Sequence, residues 1–186
     1  MRAARTIGVM HPYAPFAGVL LLPGRAPFGS TSAVTLADSQ PIAQIRWHPW
    51  SVAARFDILD AFGGAELAAG GRKGFWGRSY QVTGPGGGML LDLKLSGWGP
   101  NGRSTVTLPG GQTLATKGKW TGRTFEVLDG SGSPVARLAT TSGAFSMRQD
   151  SLAFELTAPV LSIVQAIGLA QCMRAAVEAS RSGASG

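Results

Sequence analysis

The sequence predicts an all-β fold with one helix: about twelve short antiparallel strands, laid down as hairpins, closing into a barrel around a hydrophobic C-terminal helix. Three observations lead there. A phrase of Trp, then Gly-Arg-Ser/Thr, then a strand occurs three times. It reads Trp76-Gly77-Arg78-Ser79-Tyr80-Gln81-Val82, then Trp98 with Gly102-Arg103-Ser104-Thr105-Val106, then Trp120-Thr121-Gly122-Arg123-Thr124-Phe125-Glu126-Val127, the tryptophans 22 residues apart both times. A repeat that short holds one hairpin and no helix, and a lone hairpin cannot bury its apolar face, so the hairpins must close on something. Second, Phe56-Asp57-Ile58, Tyr80-Gln81-Val82, Phe125-Glu126-Val127 and Phe154-Glu155-Leu156 each set one polar residue between two apolar ones. This period of two marks a sheet with one buried and one wet face. Third, Val160–Met173 carries no charge and is the substantial apolar segment available to fill the barrel.

The elements follow in chain order. Residues 1–32 form an irregular leader, because residues 1–30 hold four of the eleven prolines and show no periodicity. Residues 33–179 form the single barrel-and-helix domain, and 180–186 a disordered tail. Hairpins are expected as Val34–Leu36 with Ile42–Trp47, Val52–Leu59 with Glu66-Leu67, and Phe75–Val82 with Met89–Leu95. Further pairs are Ser104–Leu108 with Gln112–Thr116, Arg123–Leu128 with Val135–Thr140, and Ala144–Met147 with Leu152–Leu156. Each turn between them carries Gly, Pro, Asp or Ser, which supply the φ values and local hydrogen bonds that a reversal needs. The varied middle residues Asp57, Gln81, Glu126 and Glu155 read as outward and solvated. Thr157-Ala158-Pro159 is expected to start the helix, with Pro in its first turn.

Hydrophobic residues make up 44% of the 186-residue chain and charged ones only 15%, with 27 Gly, a mixture that suits one turn-rich β domain. Leu156–Met173 is 18 residues without charge, at the lower bound for a membrane span. Ser162, Gln165, Gly168 and Gln171 within it favour a helix enclosed by protein, so a transmembrane protein is not expected. Arg2 and Arg5 precede apolar residues, but Pro12, Pro15 and Pro23 interrupt them and no Ala-x-Ala site follows. With Cys172 the single cysteine, the expected location is cytoplasmic, peripheral to the membrane at most.

The net charge is +7, and its placement matters more than its size. Arg72, Lys73, Arg78, Lys94, Arg103, Lys117, Lys119 and Arg123 lie between residues 70 and 123 against Asp92 alone, while the rest of the chain balances. Such asymmetry suits a polyanionic partner. The candidate lipid- or anion-binding residues are Arg72, Lys73, Arg78, Arg103, Lys117, Lys119 and Arg123, interleaved with Trp76, Trp98 and Trp120 at the inter-hairpin junctions. Such residues could form an aromatic and basic rim at one barrel end. Trp47 and Trp50 extend the idea to an earlier junction. The plainer reading makes each Trp a cap on the core with an Arg stacked on it.

Catalytic chemistry finds little to build on. Gly97-Trp98-Gly99-Pro100-Asn101-Gly102 fits G-x-G-x-x-G, but Arg103–Leu108 alternates as a strand where a dinucleotide site needs a helix N-terminus. His11 and His48 are isolated, too few for a zinc site, and Cys172 reads as a packed thiol. No cofactor, metal or catalytic residue is expected.

The chain resembles the tubby C-terminal, LURP-one-related and phospholipid-scramblase superfamily, most nearly the LURP-one-related branch. The residues that carry the likeness are Ala54-Arg55-Phe56-Asp57-Ile58-Leu59-Asp60 with Gly63-Gly64, Phe125-Glu126-Val127-Leu128-Asp129-Gly130, Pro134-Val135-Ala136 and Val160–Ala176. The resemblance implies a β-barrel around a central apolar helix. From the tubby branch it also implies phosphoinositide binding through Lys/Arg pairs, without placing them here. No run of closely spaced acids matches the scramblase calcium stretch, so calcium binding and scrambling are not implied. The expected function is a non-enzymatic binding module for an anionic lipid or phosphoinositide surface. The alternative is a protein-interaction scaffold without lipid specificity. Nucleic acid is not an expected partner.

Overall fold

The computed structural model describes residues 11–25, 31–51, 53–62, 64–74, 78–96, 103–119, 124–141 and 151–183. Its strands are β1 (Pro15–Leu22), β2 (Thr31–Leu36), β3 (Pro41–Trp47), β4 (Phe56–Asp60), β5 (Glu66–Lys73) and β6 (Ser79–Thr83). They continue as β7 (Met89–Ser96), β8 (Arg103–Thr107), β9 (Thr113–Lys119), β10 (Thr124–Leu128), β11 (Pro134–Thr140) and β12 (Leu152–Ser162), and α1 (Ile163–Gly183) follows. Each strand pairs antiparallel with its sequence neighbours, and β1 pairs with β12. The result is a closed twelve-stranded up-and-down barrel.

Alternation along the strands decides the two faces. Phe56, Ile58, Tyr80, Val82, Leu91, Leu93, Phe125, Val127 and Phe154 point inward and are buried. Helix α1 runs through that interior and packs on β1, β4 to β7 and β12. Ile163, Val164, Ile167, Leu169, Ala170 and Cys172 are at most 2% exposed, so the helix is apolar nearly all round because it is enclosed nearly all round. Small residues make the fit possible. Gly70 and Gly118 stand opposite Phe56 and Phe125 on neighbouring strands, and a side chain on either would collide with the facing ring.

Several expectations change. The segment 1–32 is not all irregular: Pro15–Leu22 is β1, whose Phe16, Leu20 and Leu22 are buried, and β2 already starts at Thr31. Pro15 opens the strand and Pro12 and Pro23 lie outside it, positions where a missing N–H breaks no ladder. The expected strand Ala144–Met147 lies outside the described residues, and β1 supplies the twelfth strand. Strand β4 starts at Phe56, not Val52, because Ala54 takes a positive φ of 50° that breaks the extended chain.

The helix starts at Ile163, not around Pro159, and runs through Ser180 to Gly183. Its start is a reciprocal cap. Gln165 N donates to Ser162 Oγ at 3.2 Å, and Ser162 N donates to Gln165 Oε1 at 2.9 Å, the S-x-x-Q pattern that satisfies two orphan donors at once. Gln165 Nε2 also donates to Leu90 O on β7 at 3.0 Å. Pro159 sits in β12 beyond its last partner on β11 and within the bulge between Gly18 and Phe16 of β1, where no ladder donor is required.

Candidate functional site

Because the strands alternate in direction, the connections after β1, β3, β5, β7, β9 and β11 leave one end of the barrel, and those after β2, β4, β6, β8 and β10 leave the other. Charge divides along the same axis. The second set of turns, with the strand ends beside them, holds Asp38, Asp60, Glu66 and Asp129 and no Lys or Arg. At the first end Lys73 closes β5, Arg78 precedes β6, Arg103 opens β8 and Lys119 closes β9, with Lys94 and Lys117 each two residues in from their strand ends. Arg25, Arg46, Arg55, Arg72 and Arg174 belong to this end too.

Register places the outward members side by side. Lys73 and Lys94 both pair with Ser79, and Arg103 stands directly opposite Lys117. Lys73, Arg78, Lys94, Arg103 and Lys117 are exposed. Like charges facing across a ladder destabilise it, and Arg103 with Lys117 is such a pair. Beyond Lys117 the row continues Glu126, Arg137, Glu155 and alternates in sign. The cations therefore concentrate on the wall β5 to β9, with Asp92 lying 3.9 Å from Lys73.

Not every candidate joins that wall. Arg72 pairs in register with buried Tyr80, and burial pushes the Tyr80 hydroxyl up while the Arg72 charge pulls it down. Arg72 thus faces the barrel mouth. Trp76, Trp98, Trp120 and Arg123 lie outside the described residues. Trp47 is a core residue, 3% exposed. Its ring lies 5.1 Å from the Arg25 guanidinium and 5.9 Å from that of Arg174, and Arg25 reaches Glu178 at 3.4 Å. This is the capped-core arrangement.

Asp57 also departs from expectation. It is 5% exposed, not solvated. Arg46 donates to its Oδ2 from Nε at 2.9 Å and Nη2 at 2.7 Å, and His48 Nε2 lies 2.9 Å from the same oxygen. Burial would raise its pKa, but the hydrogen bonds and charges of Arg46 and His48 outweigh that and hold it below the ordinary carboxylate value. Its acceptor capacity is directed to holding the segment between β3 and β4. Arg46 and Asp57 are cross-strand partners, a pairing visible in sequence only once the long, irregular connection between them has been placed.

Next to that segment the outer wall carries a groove of about 200 Å³ lined by Ala53, Arg55, Gly71, Lys73, Gln81 and Thr83 among others. Cys172 is fully buried, and burial pushes its thiol far above the usual range. Among the described residues no three His, Cys, Asp or Glu side chains gather as a metal site, and no helix is long and apolar enough to cross a membrane. The G-x-G-x-x-G stretch lies outside the described residues, but the chain continues from it as strand β8.

The fold and this charge distribution define a class: a closed antiparallel barrel filled by its own C-terminal helix, basic at one end and acidic at the other. No protein-family model matches the chain, and no curated protein matches it in sequence. In fold it is similar to the X-ray structure of a protein from Arabidopsis thaliana, with a TM-score of 0.59 at 15% identity over 90% of this chain and 96% of that one.

Proposed function

We propose that this chain is a non-enzymatic binding module, akin to the LURP-one-related branch it resembles, which rests the basic end of its barrel on an anionic lipid surface. It acts in the cytoplasm and meets the membrane peripherally. The observation that carries this reading is the axial division of charge, with Lys73, Lys94, Arg103 and Lys117 exposed at one end and Asp38, Asp60 and Asp129 in or beside the turns at the other. Such a dipole orients the molecule before contact and concentrates attraction on one face. Each Lys or Arg near an anionic leaflet contributes roughly 1 kcal/mol.

The test is sedimentation with vesicles of phosphatidylcholine, with and without phosphatidylserine, over a range of salt. Binding is expected to need phosphatidylserine and to weaken with salt, since exposed charges are screened over ~8 Å at physiological ionic strength. Replacing Lys73, Lys94, Arg103 and Lys117 together by Gln removes roughly 4 kcal/mol of attraction, about a thousandfold in affinity. The melting temperature hardly moves, because exposed charges contribute little to stability. Equal binding to neutral and anionic vesicles rejects the reading, as does no binding at low salt. The second outcome turns attention to a protein partner.

A further inference from the structure

The segment between β3 and β4 carries a feature that the charge distribution alone does not explain. Trp50 is 94% exposed, whereas Trp47, three residues earlier, is 3% exposed. Indole is highly buried on average, and here it is held out on a hydrogen-bonded turn. His48 N donates to Arg55 O at 3.0 Å, Ser51 N to His48 O at 3.0 Å, and Ala54 N to Ser51 O at 3.0 Å. Arg72 N reaches across from β5 to Ala53 O at 2.7 Å, and the His48 ring is tied to Asp57. Gly71 lets the loop lie down on the wall, since a Cβ there would come within 3.0 Å of Ala53 O and 3.3 Å of Arg55 Cα.

The same loop forms one bank of the groove. Ala53 and Arg55 face Lys73, Gln81 and Thr83 across Gly71, so cations edge a space whose floor is small and polar. Asp57 is engaged by Arg46 and His48 and does not neutralise Arg55. The acid nearest Lys73 is Asp92, at 3.9 Å.

We infer that the turn His48–Ser51, which carries Trp50, is a membrane-anchoring finger: Trp50 enters the interfacial layer of an anionic bilayer while the groove beside it, edged by Arg55 and Lys73, takes the phosphate of a lipid headgroup. The inference rests on the lipid-docking reading and adds to it an orientation and a site. An indole with an apolar body and one N–H donor suits the headgroup level of a bilayer. The loop's internal hydrogen bonds remove most of the ordering cost that a mobile finger would incur on insertion.

The experiment uses the full chain and phosphatidylcholine–phosphatidylserine vesicles carrying bromine-labelled phosphatidylcholine, which quenches tryptophan on contact. Wild type, Trp50→Ala, Arg55→Gln and Phe62→Ala are compared. Phe62, 82% exposed in the turn at the opposite end, is the control aromatic. Trp50→Ala is expected to bind about tenfold more weakly and to show a smaller bromine-sensitive fraction of its emission than wild type at equal bound protein. Arg55→Gln should weaken binding severalfold, and Phe62→Ala should match wild type. If Trp50→Ala binds and is quenched like wild type, the finger is overturned while lipid docking stands. If Arg55→Gln binds like wild type, the groove assignment is overturned. If Phe62→Ala is the variant that weakens binding, the orientation is wrong. Wild-type protein that ignores these vesicles overturns both readings.

Discussion

Gly168 lets α1 lie close against the barrel wall, and replacing it tests the enclosed helix quantitatively. A Cβ at this position would lie 2.8 Å from Cγ2 and 3.1 Å from Cγ1 of Val82 on β6, against an optimum of about 3.5–4.0 Å between carbons. Val82 cannot readily give way. It is fully buried, its branched side chain has few rotamers, and its strand is paired on both sides. Overpacking of this kind costs about 1–3 kcal/mol. Ala is better than Gly inside a helix by about 0.8–1.0 kcal/mol, which opposes the clash without cancelling it. Gly168→Ala should therefore lose about 1 kcal/mol, a fall of roughly 2–4 °C in melting temperature for a chain of this size.

Val82→Ala alone empties space and should lose about 2 kcal/mol. In the double variant the new methyl fills part of that space, so the combined loss should fall short of the sum by at least about 1 kcal/mol. Urea denaturation of the four proteins measures both quantities. A Gly168→Ala protein as stable as wild type, with strictly additive losses, would show that the helix does not press on β6.

Two further outcomes follow from burial. Ile167→Asp puts an unpaired charge at a fully buried position, and the several kcal/mol this costs takes most of a typical stability. The variant should be insoluble or unfolded, and a soluble one with a cooperative melt would contradict the enclosed helix. For Asp57, whose folded pKa is depressed, the ion-pair contribution is present above the unfolded value of about 3.9 and is lost as pH falls through the lower folded value. The stability gap between wild type and Asp57→Asn should thus shrink below about pH 4, and a gap that widens on acidification refutes the cluster.

The outward and inward sides of β6, β10 and β12 were legible because a strand shows its two environments at alternate residues, within five or six letters. Turn chemistry was equally local, so the hairpins from β6 through β11 fall close to where Gly, Pro, Asp and Ser place them. The helix start was also written locally, as Ser162-Ile163-Val164-Gln165. It was masked by a competing local signal at Pro159, which only the bulge against β1 makes compatible with a strand.

What the sequence determined by itself is therefore the alternating hairpins, the apolar helix segment that fills them and the excess of cations between residues 70 and 123. Tertiary structure decided the rest. Strand β1 has no periodicity to announce it, and becomes a strand because β12, from the other end of the chain, pairs along most of it and β2 pairs beside its end. The up-and-down closure sends alternate connections to opposite ends, and so turns a charge excess spread along the chain into a basic end and an acidic end. Whether an aromatic is core or rim is likewise settled by position alone. Trp47 ends a strand and faces inward, while Trp50, three residues on, lies on a loop with no barrel wall to cover it. Burial depends on what the rest of the chain brings alongside, and no local stretch of sequence contains that.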